Sequence, residues 1–309
     1  MLLNILYIVL GAVVVLWGAD KMTDGAVVVA RRLNIPPLII GLTVLAIGTS
    51  MPEFFVSLLS AIKQTPDMAV GNVVGSNIIN ILLVGGASAC VAPLLVQRAT
   101  LVRNMPILVV ATALLVVLSI DGNLSRWDCL ALFAGFLLFM VYTVRSAKGA
   151  KPTEELKSKN YSLALAIGFI VLGLACLVVG SNVFVNGASA LAGSLGVSEA
   201  VIGLTIVAGG TSMPELATSM VAARKGQNDI AIGNIIGSNI FNILMALGLT
   251  GLISPMQIKG ITPVDFAMMG VSVLLLWAFT FSKRTLERWE GAVLVAICAG
   301  YLWYLVAGA

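Results

Sequence analysis

The sequence predicts an all-α polytopic membrane protein with ten transmembrane helices, arranged as two inverted five-helix repeats. The first observation is composition: 59% of the 309 residues are hydrophobic and only 10% are charged, whereas a soluble domain carries roughly 25% charged residues. The mean hydropathy is correspondingly high, at +1.05. The other two observations are a series of apolar stretches of membrane length and a near-copy of the first half of the chain within the second.

Ten apolar stretches are long enough to cross a bilayer, which takes about 20 apolar residues. They are 3–30, 38–62, 68–93, 103–120, 127–147, 162–194, 200–223, 230–253, 264–282 and 289–307. One polar linker, residues 148–160, separates them into two groups of five. We therefore expect residues 1–147 to form one repeat and residues 161–309 the other.

The basic residues predict the orientation of the chain. Most of them lie in one alternate set of loops: Arg31, Arg32, Arg98, Arg103, Arg145, Lys148, Lys151, Lys157, Lys159, Arg224, Lys225, Lys283, Arg284 and Arg288. Cytoplasmic loops are enriched in Lys and Arg. We therefore expect the 148–160 linker in the cytoplasm and both termini outside.

Composition also argues against several classes of function. The chain has no histidine, which removes H-E-x-x-H metalloproteases, histidine-assisted nucleophiles and most zinc sites. Its four cysteines stand singly in apolar stretches, which predicts ordinary packing residues. The N-terminus has no positively charged region, so its apolar run predicts a span rather than a signal peptide. Basic residues confined to short loops argue against nucleic acid as a partner, and we expect no enzyme activity, no cofactor and no protein partner.

The two halves align without a gap at a constant offset of 162 residues. G-N-V-V-G-S-N-I-I-N at 71–80 is matched by G-N-I-I-G-S-N-I-F-N at 233–242. Because five spans is an odd number, the second copy must enter the membrane from the opposite side to the first. Inverted repeats of this kind place substrate and ion sites near the midplane, where the halves meet.

Each half carries one acid in the middle of a membrane-length segment. The motif G-L-T-V-L-A-I-G-T-S-M-P-E ends at Glu53, and G-L-T-I-V-A-G-G-T-S-M-P-E ends at Glu215. Inserting a span with an acid at its centre into the membrane costs about 2.5–3.5 kcal/mol of free energy. A matched pair therefore predicts a functional site.

The prolines before these acids predict breaks in their helices. Pro52 and Pro214 lack an N–H, and each ring crowds the carbonyl four residues earlier. We therefore expect the backbone carbonyls around each break to be free, beside hydroxyls and two carboxylates. An all-oxygen site of this kind suits Ca²⁺ or Na⁺ and is poor for soft transition metals.

The second motif offers more polar oxygens. Asn72, Ser76 and Asn80 are spaced by four, so they share one face of a helix. That face could present hydroxyl and amide oxygens to an ion held by the acid of a neighbouring span. The alternative is hydrogen bonding between packed helices.

Together, these paired motifs resemble the two alpha-repeats of the sodium/calcium exchanger superfamily of cation/Ca²⁺ antiporters. The likeness covers essentially the whole chain and is greatest to bacterial members that lack a large regulatory loop. It implies an antiporter of the bacterial inner (plasma) membrane that exchanges Ca²⁺ for Na⁺ by alternating access. The second, third, seventh and eighth spans would form the ion-binding core, and the long first and sixth spans would slide against it.

By position, the resemblance also assigns the ligands. Ca²⁺ would be held by the carboxylates of Glu53 and Glu215 and by the backbone carbonyls of Thr49 and Thr211. Na⁺ would use the same acids with further oxygens: the hydroxyls of Ser50, Ser212, Ser76 and Ser238 and the carbonyls of Ala46 and Ala208. The amides of Asn80 and Asn242 would close the middle of the site.

One departure from the family pattern leaves the exchange ratio open. Some prokaryotic members carry an Asp where this chain has Asn242, so the predicted site has two formal negative charges rather than three. One Ca²⁺ would neutralise both charges, whereas three Na⁺ would leave an excess.

Other functions fit parts of the pattern. A Ca²⁺/H⁺ antiporter would exchange protons on the same two glutamates, and a K⁺-dependent exchanger would carry K⁺ as well. An intramembrane hydrolase would use the acids as an acid/base pair, but the inverted duplication argues against it. The buried acids argue against a membrane scaffold that transports nothing.

Overall fold

The computed structural model describes residues 1–147, 161–196 and 208–307. The predicted linker at 148–160 and the start of the predicted seventh span, residues 200–207, lie outside these ranges. The described helices are α1 (Leu2–Arg32), α2 (Pro37–Thr49), α3 (Met51–Ile62), α4 (Pro66–Val91), α5 (Thr100–Leu118), α6 (Arg126–Ala147), α7 (Leu163–Ser194), α8 (Ala208–Thr211), α9 (Met213–Arg224), α10 (Asn228–Ile253), α11 (Pro263–Lys283) and α12 (Arg288–Ala307). Short strands follow four of these helices: β1 (Leu94–Leu95), β2 (Asn123–Leu124), β3 (Met256–Gln257) and β4 (Thr285–Leu286).

Eight of the described helices are long and apolar enough to cross a membrane, and the bent pair α2–α3 makes a ninth candidate. The chain is therefore an all-helical integral membrane protein, as predicted. Predicted and observed bounds agree to within a few residues; the span predicted at 103–120, for example, is α5 at Thr100–Leu118. The helices α8 and α9 form the described part of the predicted seventh span.

The two helices that carry the asparagine motifs lie at the centre of the molecule. In the most apolar segment of α10, 94% of the residues are buried within the protein, and in that of α4, 78% are. In the corresponding segments of α1 and α7 the share is 22%. Polar side chains on α4 and α10 therefore face other helices, whereas α1 and α7 present most of their surface outward.

The long helices α1 and α7 run antiparallel, with their backbones in contact at glycines. A Cβ added to Gly18 would lie 2.8 Å from the carbonyl oxygen of Gly173, and one added to Gly173 would lie 2.6 Å from that of Gly18. Gly11 meets the carbonyl oxygen of Gly180 in the same way, at 2.7 Å. Small residues allow this close approach where no hydrophobic force acts between helices.

A similar contact brings the two halves together near the acids. The helix α2 of the first half crosses α10 of the second, where a Cβ on Gly41 would lie 2.8 Å from the carbonyl oxygen of Ile230. A Cβ on Gly233 would lie 2.7 Å from the carbonyl oxygen of Leu38. This crossing sets the end of α2, at Thr49, beside the polar face of α10.

Two antiparallel strand pairs also join the halves. β1 pairs with β4, with Leu94 opposite Leu286, and β2 pairs with β3, with Asn123 opposite Gln257. At the repeat offset β1 corresponds to β3 and β2 to β4, so each pair takes one strand from each half. These strands were not predicted, because two-residue strands carry too little pattern to be recognised.

Candidate ion-binding site

The first acid motif forms the predicted break in a helix. The helices α2 and α3 meet at an angle of 45°, with Ser50 between them and Pro52 and Glu53 in the first turn of α3. In the second copy, Ser212 lies between α8 and α9. The two serines have nearly equal dihedral angles, φ −87° and ψ 7° for Ser50 and φ −86° and ψ 5° for Ser212, so the same break is built twice.

Each glutamate accepts a hydrogen bond from the serine that precedes the acid in the opposite half. Ser50 Oγ donates to Glu215 Oε1 over 2.7 Å, and Ser212 Oγ donates to Glu53 Oε1 over 3.3 Å. All four side chains are at most 1% exposed. The two predicted motifs therefore meet face to face.

The other oxygens of these groups remain without protein partners. Within the described part of the chain, Glu53 Oε2, Glu215 Oε2 and both amide atoms of Asn80 and Asn242 are buried with no hydrogen-bond partner. Asn80 begins one π-helical turn, Asn80–Gly85, and Asn242 lies in another, Phe241–Leu247. Such turns widen a helix and recur at functional sites. Nearly all buried polar groups in proteins are hydrogen-bonded or bound to a ligand, so these oxygens are available to a bound ion.

The remaining predicted residues surround the acids. Thr49 and Ser238 lie close to the carboxylate of Glu215, and Thr211 lies close to that of Glu53. Thr49 Oγ1 and Ser238 Oγ are 3.5 Å apart, across the boundary between the halves.

Ser76 is buried on α4, one turn before Asn80. The backbone of Ala208 begins α8, at the position that matches Ala46.

One expectation about the break is wrong. The carbonyl of Ala46 is not freed, because it accepts the backbone N–H of Ser50 over 3.1 Å. The missing N–H of Pro52 would have bonded the carbonyl of Gly48, four residues earlier, so the proline leaves the bond from Ser50 to Ala46 intact. A carbonyl oxygen has two lone pairs, so coordination by Ala46 stays a prediction.

The donor atoms available in the site are all oxygens. The described residues hold no group of three or more His, Cys, Asp and Glu side chains that could bind a metal. Two acids with hydroxyl, amide and carbonyl oxygens form instead the kind of donor set that hard cations prefer. The two carboxylates also lie close enough to repel each other, and a cation between them would relieve that repulsion.

Comparison with protein families identifies a family whose name specifies hard cations. The model of the family described as sodium/calcium exchanger protein matches residues 3–145 and 165–307. The chain belongs to that family. The family is one of transporters, and its model matches one region on each side of residues 148–160.

Individual relatives match over nearly their whole lengths. Sodium/calcium exchanger MaX1 of Methanosarcina acetivorans is 32% identical, over 97% of each chain. Inner membrane protein YrbG of Escherichia coli is 38% identical, over 99% of this chain and 96% of its own. A solved structure of the sodium-calcium exchanger NCX_Mj, soaked with 10 mM Na⁺ and zero Ca²⁺, has a TM-score of 0.84 and 32% identity and covers 100% of this chain and 99% of that chain.

Two serines beside the acids of this exchanger were not predicted from the sequence. Ser57 and Ser219 lie one helical turn after Glu53 and Glu215 and are fully buried. Each accepts a hydrogen bond from an asparagine of the second motif, Asn72 or Asn234. The sequence does contain a sign of this pairing, because both serines and both asparagines match at the 162-residue offset. Serine is too common in membrane helices, however, for the match to single these residues out.

Proposed function

We propose that this chain is a secondary-active antiporter, not an enzyme, that exchanges Ca²⁺ for Na⁺ at a site between its two halves. The observation that carries the proposal is the pair of buried glutamates. Each accepts a hydrogen bond from a serine of the opposite half, and each has a second oxygen without a protein partner among the described residues. Buried charges are paired or coordinate metals, and a bound cation would meet that need.

The donor set supports the choice of ions. Two carboxylates balance the charge of one Ca²⁺, and with the carbonyls of Thr49 and Thr211 they would form its core ligands. Na⁺ would use the same acids with a wider set of oxygens: Ser50, Ser212, Ser76, Ser238, Ala46, Ala208, Asn80 and Asn242. The names of the relatives MaX1 and NCX_Mj specify the same two ions.

The strand pairs support an inverted ten-helix layout, with residues 1–147 and 161–309 as the repeats. The loops with β1 and β2 are separated by one span, α5, and therefore lie on opposite sides of the membrane. The same holds for β3 and β4, which α11 separates. Without inversion, β1 would lie on the same side as its counterpart β3; it pairs instead with β4.

Loop charge supports the orientation. The loops rich in Lys and Arg and the linker 148–160 would lie in the cytoplasm, with both termini outside, in a bacterial inner membrane.

Exchange rather than leak follows from the buried charges. With no cation bound, two nearby carboxylates would be left in a low-dielectric interior, an arrangement that costs several kcal/mol per uncompensated ion. Occupancy by Ca²⁺ or by Na⁺ removes that cost, and either permits the site to change the side on which it opens. Because the two ions share oxygens, one must leave before the other binds.

Transport by purified protein tests the function directly. Proteoliposomes loaded with Na⁺ and diluted into Na⁺-free medium are expected to take up ⁴⁵Ca²⁺, whereas vesicles loaded with choline are not. Uptake driven by a pH gradient alone would contradict Na⁺ exchange and identify a Ca²⁺/H⁺ antiporter. An absolute requirement for K⁺ on the Na⁺ side would identify a K⁺-dependent exchanger.

Substitution of the acids tests the site. Glu53→Gln and Glu215→Gln are each expected to reduce Na⁺-driven Ca²⁺ uptake to background, because each removes a charge that the cation must balance. Glu290→Gln is the matched control: Glu290 is a 5% exposed acid that accepts the backbone N–H of Glu287 at the start of α12, away from the site. Full uptake by either site variant would exclude these acids as ligands.

A further inference from the structure

A hydrogen-bonded clamp fixes the first acid-bearing helix to its neighbour. Asn72 Nδ2, on α4, donates to Ser57 Oγ over 2.9 Å and to the backbone carbonyl of Glu53 over 3.0 Å. Ser57 Oγ donates in turn to the carbonyl of Ala69 over 3.1 Å. Because Ser57 lies one turn after Glu53 on α3, these bonds fix how far α3 is rotated and hence where Glu53 points.

The second half repeats the asparagine–serine bond and adds a bond to the other half. Asn234 Nδ2, on α10, donates to Ser219 Oγ over 3.0 Å, one turn after Glu215 on α9. Asn234 Oδ1 also accepts from Thr49 Oγ1 of the first half, over 3.3 Å. The side chains of Asn234, Ser219 and Thr49 are fully buried.

We propose that Asn72 and Asn234 are positioning residues that set the geometry of the cation site and thereby its affinity for Ca²⁺. The inference rests on the proposed function, since it assumes that Glu53 and Glu215 bind the ion. Asn234 joins two predicted ligand groups, because one end of its amide holds the helix of Glu215 and the other holds Thr49.

The direction of its amide distinguishes Asn234 from the predicted ligands. A cation binds the oxygen of an amide, never its N–H₂ group. The amide nitrogens of Asn72 and Asn234 are turned to protein oxygens, and the amide oxygen of Asn234 is engaged by Thr49. Asn80 and Asn242, by contrast, have no protein partner for either amide atom among the described residues.

Geometry of this kind affects a metal site strongly. Ca²⁺ takes six to eight oxygens at about 2.3–2.6 Å, so ligands from different helices must be held at fixed distances. Partners that orient the ligands typically change metal affinity by about 10- to 100-fold when they are removed. The two serines are the best points to test, because they orient the acids through the asparagines and are not among the predicted ligands.

The test is Ca²⁺ affinity in purified, Na⁺-free protein, measured by isothermal titration calorimetry. Ser57→Ala and Ser219→Ala are each expected to weaken Ca²⁺ binding by about 10-fold. Ser272→Ala is the matched control, because Ser272 is also fully buried but donates only to Met269 within its own helix. The apparent unfolding temperature without ions is measured for all variants, so that loss of folding is separated from loss of affinity.

A double-mutant cycle tests whether serine and asparagine act as one unit. If Ser219 acts through Asn234, then Ser219→Ala together with Asn234→Ala should weaken Ca²⁺ binding no more than Asn234→Ala alone.

Unchanged affinity in Ser57→Ala and Ser219→Ala, or a loss no larger than that of Ser272→Ala, would overturn the inference while leaving the exchanger intact. Failure of the unaltered protein to bind Ca²⁺ would instead overturn the proposed function, and the positioning role with it.

Discussion

At the scale of single residues, the two halves of the site match in type but differ in geometry. Ser50 donates to Glu215 over 2.7 Å, whereas Ser212 donates to Glu53 over 3.3 Å. A shorter hydrogen bond to a charged oxygen is the stronger one. The protein therefore stabilises the carboxylate of Glu215 more than that of Glu53, and Glu53 has more to gain from a bound cation.

The charge of the site can be changed at one residue. Asn242→Asp is expected to strengthen Ca²⁺ binding by at least about 10-fold, because opposite unit charges 4 Å apart attract by about 4 kcal/mol at an effective dielectric constant of 20. Titration calorimetry would measure the change. Asn239→Asp is the control, since Asn239 is equally buried on the same helix but donates to the carbonyl of Ile235. Weaker binding by folded Asn242→Asp protein would mean that residue 242 does not face the ion.

Residue pattern alone predicted that the two acid motifs meet, but not how each side chain is turned. The duplicated motifs identified Glu53, Glu215 and the serines before them, because acids in hydrocarbon are rare. They did not reveal that Ser50 bonds the acid of the other half, nor that Asn72 directs its amide nitrogen to the backbone of Glu53. Those facts depend on the crossing of helices that are remote in sequence.

At the scale of elements, the bends and the glycine contacts position the site. The 45° bend between α2 and α3 sets Glu53 in the first turn of a new helix, where the positive end of the helix dipole favours a carboxylate. The contact between α1 and α7 brings the backbones of the two long outer helices together at Gly18 and Gly173.

The glycine contact between α1 and α7 can be tested by one methyl group. Gly173→Ala is expected to destabilise the protein by about 1–3 kcal/mol, because the new Cβ would lie 2.6 Å from a backbone oxygen that cannot move aside. Gly168→Ala, on the same helix with open space at its Cβ, should be neutral or slightly stabilising. Thermal unfolding in detergent measures both. An equal effect of the two substitutions would show that α1 and α7 are not in close contact there.

Element bounds were predictable, whereas the partners of each element were not. A run of apolar residues fixes the length of a span, so α5 and α7 were located to within a few residues. The repeat aligns Gly18 with Gly180, but the structure packs Gly18 on Gly173 and Gly11 on Gly180. Alignment identifies equivalent residues in two copies, and antiparallel packing pairs them in the opposite order.

At the scale of the whole molecule, one cluster of ion pairs makes the halves unequal. Lys225 Nζ, beyond the end of α9, lies 2.7 Å from Asp20 Oδ1 and 2.8 Å from Asp24 Oδ1 on α1. The counterpart of Lys225 is Lys63, but Asn182 and Asn186 stand where the acids would be. The cluster therefore stabilises the conformation seen in the structure. A conformation in which the two halves exchanged their arrangements would lack it, because Lys63 would meet asparagines instead of acids.

Loss of this cluster is expected to shift the balance between the two directions of access. Lys225→Met should change the apparent Ca²⁺ affinity in opposite directions on the two membrane faces, because the fraction of molecules open to each face changes. The shift should be about fivefold, since partly exposed ion pairs contribute up to about 1 kcal/mol. Uptake by uniformly oriented vesicles would measure it, with Lys63→Met as control. A change in the same direction on both faces would contradict this role.

The exchange of strands between halves has a consequence for how the chain is made. β1, at Leu94–Leu95, cannot pair until β4, at Thr285–Leu286 in the second half of the chain, has been synthesised. Until the second half is inserted, Glu53 also lacks the hydroxyl of Ser212 and is held in the bilayer at a cost of about 2.5–3.5 kcal/mol. The first half of the chain therefore enters the membrane as an incomplete intermediate, and Ser212 of the second half stabilises an acid that was inserted before it.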